Sequence, residues 1–169
     1  ENAGWVEALG AGVSGLDVGQ AVAVYGPTGC GRCHRCVQGM ENYCERQAEL
    51  TSMAAGLGDD GGMAPYMLVH DTRHLLPLGD LDPVQAAPLT DAGLTPYHAI
   101  RRSLDLLVPG STALVIGVGG LGHMGVQILE ALTPAAVIAV DTRRSALDMA
   151  AAAGAEHTVL AGDTAATEI

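Results

Sequence analysis

The sequence predicts a chain in two parts, a β-rich portion followed by a parallel α/β portion, and three observations carry that division. Short apolar runs broken by glycine and aspartate turns fill the opening stretch. All four cysteines then fall close together, as Cys30, Cys33, Cys36 and Cys44. Further on, two apolar runs, Thr112–Ile116 and Ala136–Val140, bracket a glycine-rich turn and a segment of helical period.

Taken in order, Gly4–Leu9 and Gln20–Tyr25 read as strands of a small barrel or sandwich, joined by the turn-rich Val13–Gly19. Beyond the cysteines, 51–62 is small and glycine-rich and reads as a loop. Met63–Val69 predicts a strand, which Pro65 confines to an edge or to its first residues. His70 and His74 flank Asp71–Arg73 and read as a solvated turn, since no third metal ligand is nearby. Leu78–Pro88 is a connection with a helical turn, and the domain boundary is placed here, giving parts 1–80 and 81–169. A helix is expected from Leu89 to Leu106, and Pro109-Gly110 turns the chain into the next strand. Leu121, Met124, Gly125, Ile128 and Leu132 recur on one helical face until Pro134 ends the helix. A second helix over 145–153 stops at Gly154, His157–Leu160 forms a third strand, and 161–163 turn toward another helix.

The cysteines follow a C-x2-C-x2-C-x7-C spacing. Four thiolates gathered by glycine-bearing loops make a closed, tetrahedral zinc site with no position left for water, hence a structural one. Two disulfides satisfy the count but belong to oxidising compartments, and an iron–sulfur cluster also takes four thiolates; zinc is favoured over both. His34 lies between ligands, but the shell is already complete.

The run Thr112–Ile116 ends in Gly117-Val118-Gly119-Gly120-Leu121-Gly122, a helix follows, and the next strand ends on Asp141. Strand, turn, helix, strand and acid in that order are the dinucleotide fingerprint in its full context. Gly117 allows the tight turn, Gly119 the approach of a pyrophosphate, and Gly122 the close packing of helix on sheet. The helix N-terminus offers unpaired N–H groups and a partial positive charge. Asp141 suits a ribose 2′-hydroxyl and repels a 2′-phosphate, which favours NAD over NADP, although Arg143 and Arg144 beside it are either solvated helix-start residues or partners for an adenosine phosphate.

Composition narrows the function classes. Of the 169 residues 49% are apolar, enough for a core, but with 3% aromatic and no Phe that core is built from Ala, Val and Leu. A formal charge of −11 with 8 Lys and Arg argues against nucleic acid and anionic membrane surfaces, both of which select basic patches. No run approaches a membrane span and no charged-then-apolar leader opens the chain, so a cytoplasmic protein is expected. The chain opens at Glu1 without Met, as a piece of a longer sequence does.

Together the cysteine lobe, Pro88-Leu-Thr-Asp-Ala-Gly-Leu-Thr-Pro-Tyr-His-Ala-Ile100, and Val115–Gly122 with Asp141 resemble the medium-chain, zinc-dependent alcohol dehydrogenases, most closely a bacterial secondary-alcohol type. The resemblance implies part of a GroES-like β-barrel catalytic domain with a structural zinc lobe, followed by the first half of a Rossmann domain. It implies that Cys30, Cys33, Cys36 and Cys44 hold the structural zinc. Asp91 falls at the third catalytic zinc ligand, with helix N-capping as its plainer alternative. Glu1 matches a Glu close to that zinc. Thr95 and Leu121 match positions lining the nicotinamide, Gly117, Gly119, Gly120 and Gly122 the pyrophosphate turn, and Asp141 the acid on the adenosine ribose.

The implied activity is reversible hydride transfer between an alcohol or ketone and NAD, in a homo-dimer or homo-tetramer. The family's other two catalytic ligands, a Cys and a His directly before Glu1, lie upstream, so the isolated chain is expected to be inactive. A truncated non-catalytic module, or a polyol, threonine or formaldehyde dehydrogenase of the same family, are the alternatives. In the doubly wound order a further strand should flank Ala113–Ile116, which this chain would leave as a bare apolar edge.

Overall fold

The structure is a computed structural model that describes residues 1–168, and it falls into two compact units, Glu1–Thr90 and the chain from Asp91 onward.

In the first unit, β1 (Asn2–Trp5) and β2 (Ala21–Val24) pair antiparallel, with Asn2 opposite Val24. After β2 the chain leaves on a long excursion through α1 (His34–Val37) and short 3-10 turns. It returns as β3 (Leu75–Pro77), antiparallel to β2 with Leu75 opposite Val24. Val22, Ala23 and Val24 are buried because β2 is the central strand of the three. One turn of helix, α2 (Pro83–Ala86), packs on β1 and β2. Asp82 caps it by accepting from the N–H groups of Val84 and Gln85 at 2.9 and 3.1 Å, and Pro83 occupies the first helical position, where its missing N–H costs nothing. Asp82→Ala is expected to lower the stability of this unit by about 1 kcal/mol, read as a shift in urea midpoint at constant m-value.

Two local expectations are corrected. Residues 63–69 form no strand: among the described residues they join no ladder, and Met63, Tyr66 and Leu68 are exposed. An alternating apolar run needs a neighbouring strand to become one. The strand that does form, β3, lies a few residues later and ends in a proline, which its edge position tolerates. His74 is buried rather than solvated, whereas His70 is exposed and pairs with Asp59 at 3.0 Å.

In the second unit the first helix is α3 (Leu94–Arg101), shorter than the one expected from Leu89 to Leu106; a 3-10 turn at 87–90 closes the first unit before it and another follows at 104–106. Then β4 (Thr112–Ile116), α4 (Gly120–Leu132), β5 (Ala136–Asp141), α5 (Arg144–Ala152), β6 (His157–Leu160) and α6 (Ala165–Glu168) follow. The three strands are parallel in the order β4–β5–β6. All of β5 beyond Ala136 is buried: Val137 and Ala139 pack with Val126, Leu129, Ala146 and Ala150, and Ile138 and Val140 pack with Val159 and Ala165 on the other side. A strand covered on both faces reads as an unbroken apolar run, as this one does. Gly154, at φ +112, ends α5 in a conformation that side chains avoid. The buried residues of α4 are Gly125, Val126 and Leu129, whereas the expected face included Leu121 and Leu132, both half exposed. As the sequence led us to expect, β4 is an edge, with Leu114 and Ile116 exposed.

Candidate functional site

In the first unit, local structure gathers the four sulfurs. Gly31 takes φ +72 just after Cys30, turning the chain so that Cys33 starts α1 and Cys36 falls within it. The 3-10 turn Glu41–Tyr43 then delivers Cys44 at its end. The four Sγ atoms lie within 4.8 Å of one another, with Cys36 and Cys44 buried. Backbone N–H groups point at sulfur: Cys33 to Cys30 at 3.3 Å, and both Cys30 and Arg46 to Cys44 at 3.4 Å.

The surroundings act in opposite directions on two of the thiols. N–H groups of Cys36 and Glu45 hold the Cys33 thiol down to about 6, while burial pushes that of Cys36 up to about 12. Cation binding must displace the thiol protons, and the lowered value of Cys33 eases that step while the raised value of Cys36 opposes it. Tetrahedral Zn–S bonds of ~2.3 Å set sulfurs ~3.8 Å apart, so the cluster closes on zinc with small shifts. The donor set fits.

In the second unit the glycine turn sits on Asp141. Gly117 takes φ +88 and donates to the Val140 carbonyl at 2.7 Å. Val118 N–H donates to Asp141 Oδ2 at 2.7 Å, and Arg143 N–H to Oδ1 at 2.8 Å, with Arg143 Nε 3.5 Å away. The N–H groups of Arg143 and Val118 hold this largely buried carboxyl below its usual range, so it stays ionised. Gly119 is the N-cap of α4 and supplies no side-chain cap, which leaves the first N–H groups of the helix to a ligand. A Cβ at Gly119 or Gly120 would meet nothing within 4 Å, whereas at Gly122 it would strike the Gly117 carbonyl. The open glycines fit an approaching pyrophosphate, and the closed one fits helix to strand.

Thr95 and Leu121 line one open groove of about 500 Å³ together with Gly117, Gly122, Leu114 and Ile116. Asp91 is exposed at the start of this unit and does not cap α3 through its side chain: Gly93 is the N-cap, and Asp91 contributes its carbonyl, which accepts from Thr95 N–H at 3.0 Å. Glu1 belongs to the first unit and is exposed. Among the described residues, the cysteines are the only group of three or more His, Cys, Asp or Glu side chains arranged to share a metal.

Sequence reasoning missed Val118, whose N–H anchors Asp141, and the pair Glu41–Arg73, joined at 3.0 Å beside the lobe. Val118 occupies a variable position of the glycine motif and acts through its backbone, which no residue pattern reports. Glu41 and Arg73 stand 32 positions apart, so only the fold joins them.

Residues 1–80 match the alcohol dehydrogenase GroES-like domain. An NAD-dependent alcohol dehydrogenase of Sulfurisphaera tokodaii is 42% identical over 161 residues, covering 94% of this chain and 44% of the relative. The crystal structure of an alcohol dehydrogenase from Aeropyrum pernix superposes with a TM-score of 0.83 at 38% identity, covering 95% of this chain and 46% of that one. A cobalt- and zinc-bound thermostable alcohol dehydrogenase from Pyrobaculum aerophilum gives 0.81 at 29% identity, covering 94% and 46%. Nearly the whole chain is thus similar to alcohol dehydrogenases, and its first 80 residues to their GroES-like domain. It spans just under half the length of these relatives. Zinc at the four sulfurs and NAD on the glycine turn are cofactors that the residues present fit.

Proposed function

We propose that these residues serve a zinc-dependent alcohol dehydrogenase that transfers hydride reversibly between an alcohol, a secondary one by preference, and NAD. The single observation that carries this is Asp141 under the glycine turn. Its ionised carboxylate is fixed by Val118 and Arg143 N–H at the end of β5, beside uncapped N–H groups of α4. In this proposal the second unit is half of a Rossmann fold. Gly119 and Gly120 leave room for the pyrophosphate, and Asp141 accepts from the adenosine ribose. Thr95 and Leu121 shape one side of the nicotinamide site, and their shared groove supports that role.

Asp91 is assigned as a ligand of a catalytic zinc and Glu1 as a carboxylate near it. The carboxylate of Asp91, exposed and not used in capping, is available for that task. When bound, that zinc polarises the substrate oxygen and the nicotinamide accepts hydride. Cys30, Cys33, Cys36 and Cys44 have no part in the chemistry and keep the lobe folded. A reducing, cytoplasmic setting suits four free thiols, and assembly as a homo-dimer or homo-tetramer belongs to the same proposal. That the cysteines form the only metal-binding group among the described residues favours a second reading, a zinc-stabilised module that binds dinucleotide without turnover.

Asp141→Asn keeps an acceptor but removes the charge, and is expected to weaken NADH binding by about 10- to 100-fold, the cost of losing a charged hydrogen-bond partner. Titration of bound-NADH fluorescence measures it. Equal affinity in the variant, or no binding by the wild-type chain, would sink the dinucleotide assignment.

A further inference from the structure

Arg73 makes more directed contacts than any simple surface arginine needs. Its Nη2 donates to the Gly29 carbonyl at 2.7 Å, its Nη1 pairs with Glu41 at 3.0 Å, and its Nε with Asp71 at 2.8 Å. The guanidinium also lies against Gly31, where an added Cβ would come within 3.2 Å of it. Gly29 and Gly31 are the neighbours of Cys30, so one side chain holds the first metal-ligating loop from both sides.

Glu41 lies between Cys36 and Cys44, and its side chain is only 9% exposed. A Cβ on Gly29 would meet both the Cys36 sulfur and the Glu41 side chain, so the three pack together. A zinc ion with four thiolates carries two net negative charges, and Glu41 adds a third beside it. Arg73 is the cation that Glu41 pairs with. It arrives from the turn before β3, across 32 residues to Glu41 and 44 to Gly29.

We propose that Arg73 is the positioning residue of the metal lobe: its guanidinium grips Gly29 and Glu41, keeps the loop around Cys30 closed, and sets how fast metal leaves the four sulfurs. This rests on the assignment of the cysteines as a zinc site. Loss of the arginine leaves a buried carboxylate unpaired beside an anionic centre, a costly arrangement.

The test follows zinc release from the loaded 169-residue chain into excess chromogenic chelator. Arg73→Met is expected to release zinc about ten-fold faster, a discounted share of what breaking a fully buried pair entails. Arg73→Lys, which retains the charge but not the forked donor set, should fall between it and wild type. Glu41→Gln should accelerate release less, and the double variant should be no faster than Arg73→Met alone, because both changes remove one interaction. Sulfur-to-cobalt charge-transfer bands of the cobalt-loaded variants should match wild type, showing the same four ligands. Should Arg73→Met fail to fold, Arg73→Lys and Glu41→Gln carry the comparison. Wild-type release rates in these variants, or additive effects in the double variant, overturn the proposal. A wild-type chain that takes up no zinc overturns the zinc assignment itself and this proposal with it.

Discussion

Gly122→Ala is expected to destabilise the second unit by about 3 kcal/mol or more and to abolish NADH binding, whereas Gly119→Ala leaves stability unchanged to within about 0.5 kcal/mol and only weakens binding. Alanine normally favours a helix over glycine by about 1 kcal/mol, and Gly122 lies in the first turn of α4. The clash decides the sign here. A Cβ at Gly122 would strike the carbonyl of Gly117, backbone against backbone, and no rotamer relieves it. Separating the two means moving the start of α4 off β4, and with it the Val118 N–H that holds Asp141. At Gly119 the added methyl meets nothing, and the backbone there is extended at φ −82, open to any residue. Its methyl would stand only in the way of a ligand. Thermal melts by far-ultraviolet circular dichroism and NADH titrations of both variants separate the two roles. Loss of stability at Gly119→Ala, or a normal melt for Gly122→Ala, would refute this division.

Metal removal is the second large effect. Structural zinc is worth ~10–16 kcal/mol in small zinc-binding peptides, so chelation is expected to unfold the lobe from Cys30 to Cys44. Arg32 and Arg35 are exposed within it and should become rapid trypsin sites. Elemental analysis should find one tightly bound zinc per chain, since the described residues gather one such ligand group. Tryptic cutting unchanged by chelation, or two tight zincs, would contradict this. The pH dependence follows from the thiols. Cys33 has a lowered value, so it is already thiolate above about 6 and adds a competing proton below it. Cys36, raised to about 12, stays protonated without metal across the neutral range and must always lose its proton on binding. Apparent zinc affinity therefore falls as pH falls, and more steeply below about 6, which competition with a chelator at graded pH would measure.

Much of the second unit was legible because its signals are local. Thr112–Ile116 and Ala136–Asp141 are apolar runs closed by glycine or aspartate, and Pro134 and Gly154 mark the ends of helices. The cysteine spacing likewise located a cluster that local turns assemble. What sequence could not supply depends on partners. Residues 63–69 had a strand's pattern and no ladder, while Leu75–Pro77 had a poor pattern and found β2. The face of α4 was misread because Leu121 and Leu132 are as apolar as Leu129, and only packing distinguishes them. His74 looked like a turn residue and is buried. Arg73 became visible only when the fold set it beside Glu41.

The place of the lobe within the first unit bears on how the chain folds. It is a detour between two adjacent strands, leaving at Val24 and returning at Leu75 opposite it. Zinc bound at the four sulfurs would tie Cys30 to Cys44 and so shorten the loop that must close before β2 meets β3. Loop closure depends only on the logarithm of length, so this shortening gains merely a few tenths of a kcal/mol. The strands should therefore find each other nearly as fast without metal, and the β1–β2–β3 sheet should nucleate first, with the lobe maturing afterwards as zinc arrives.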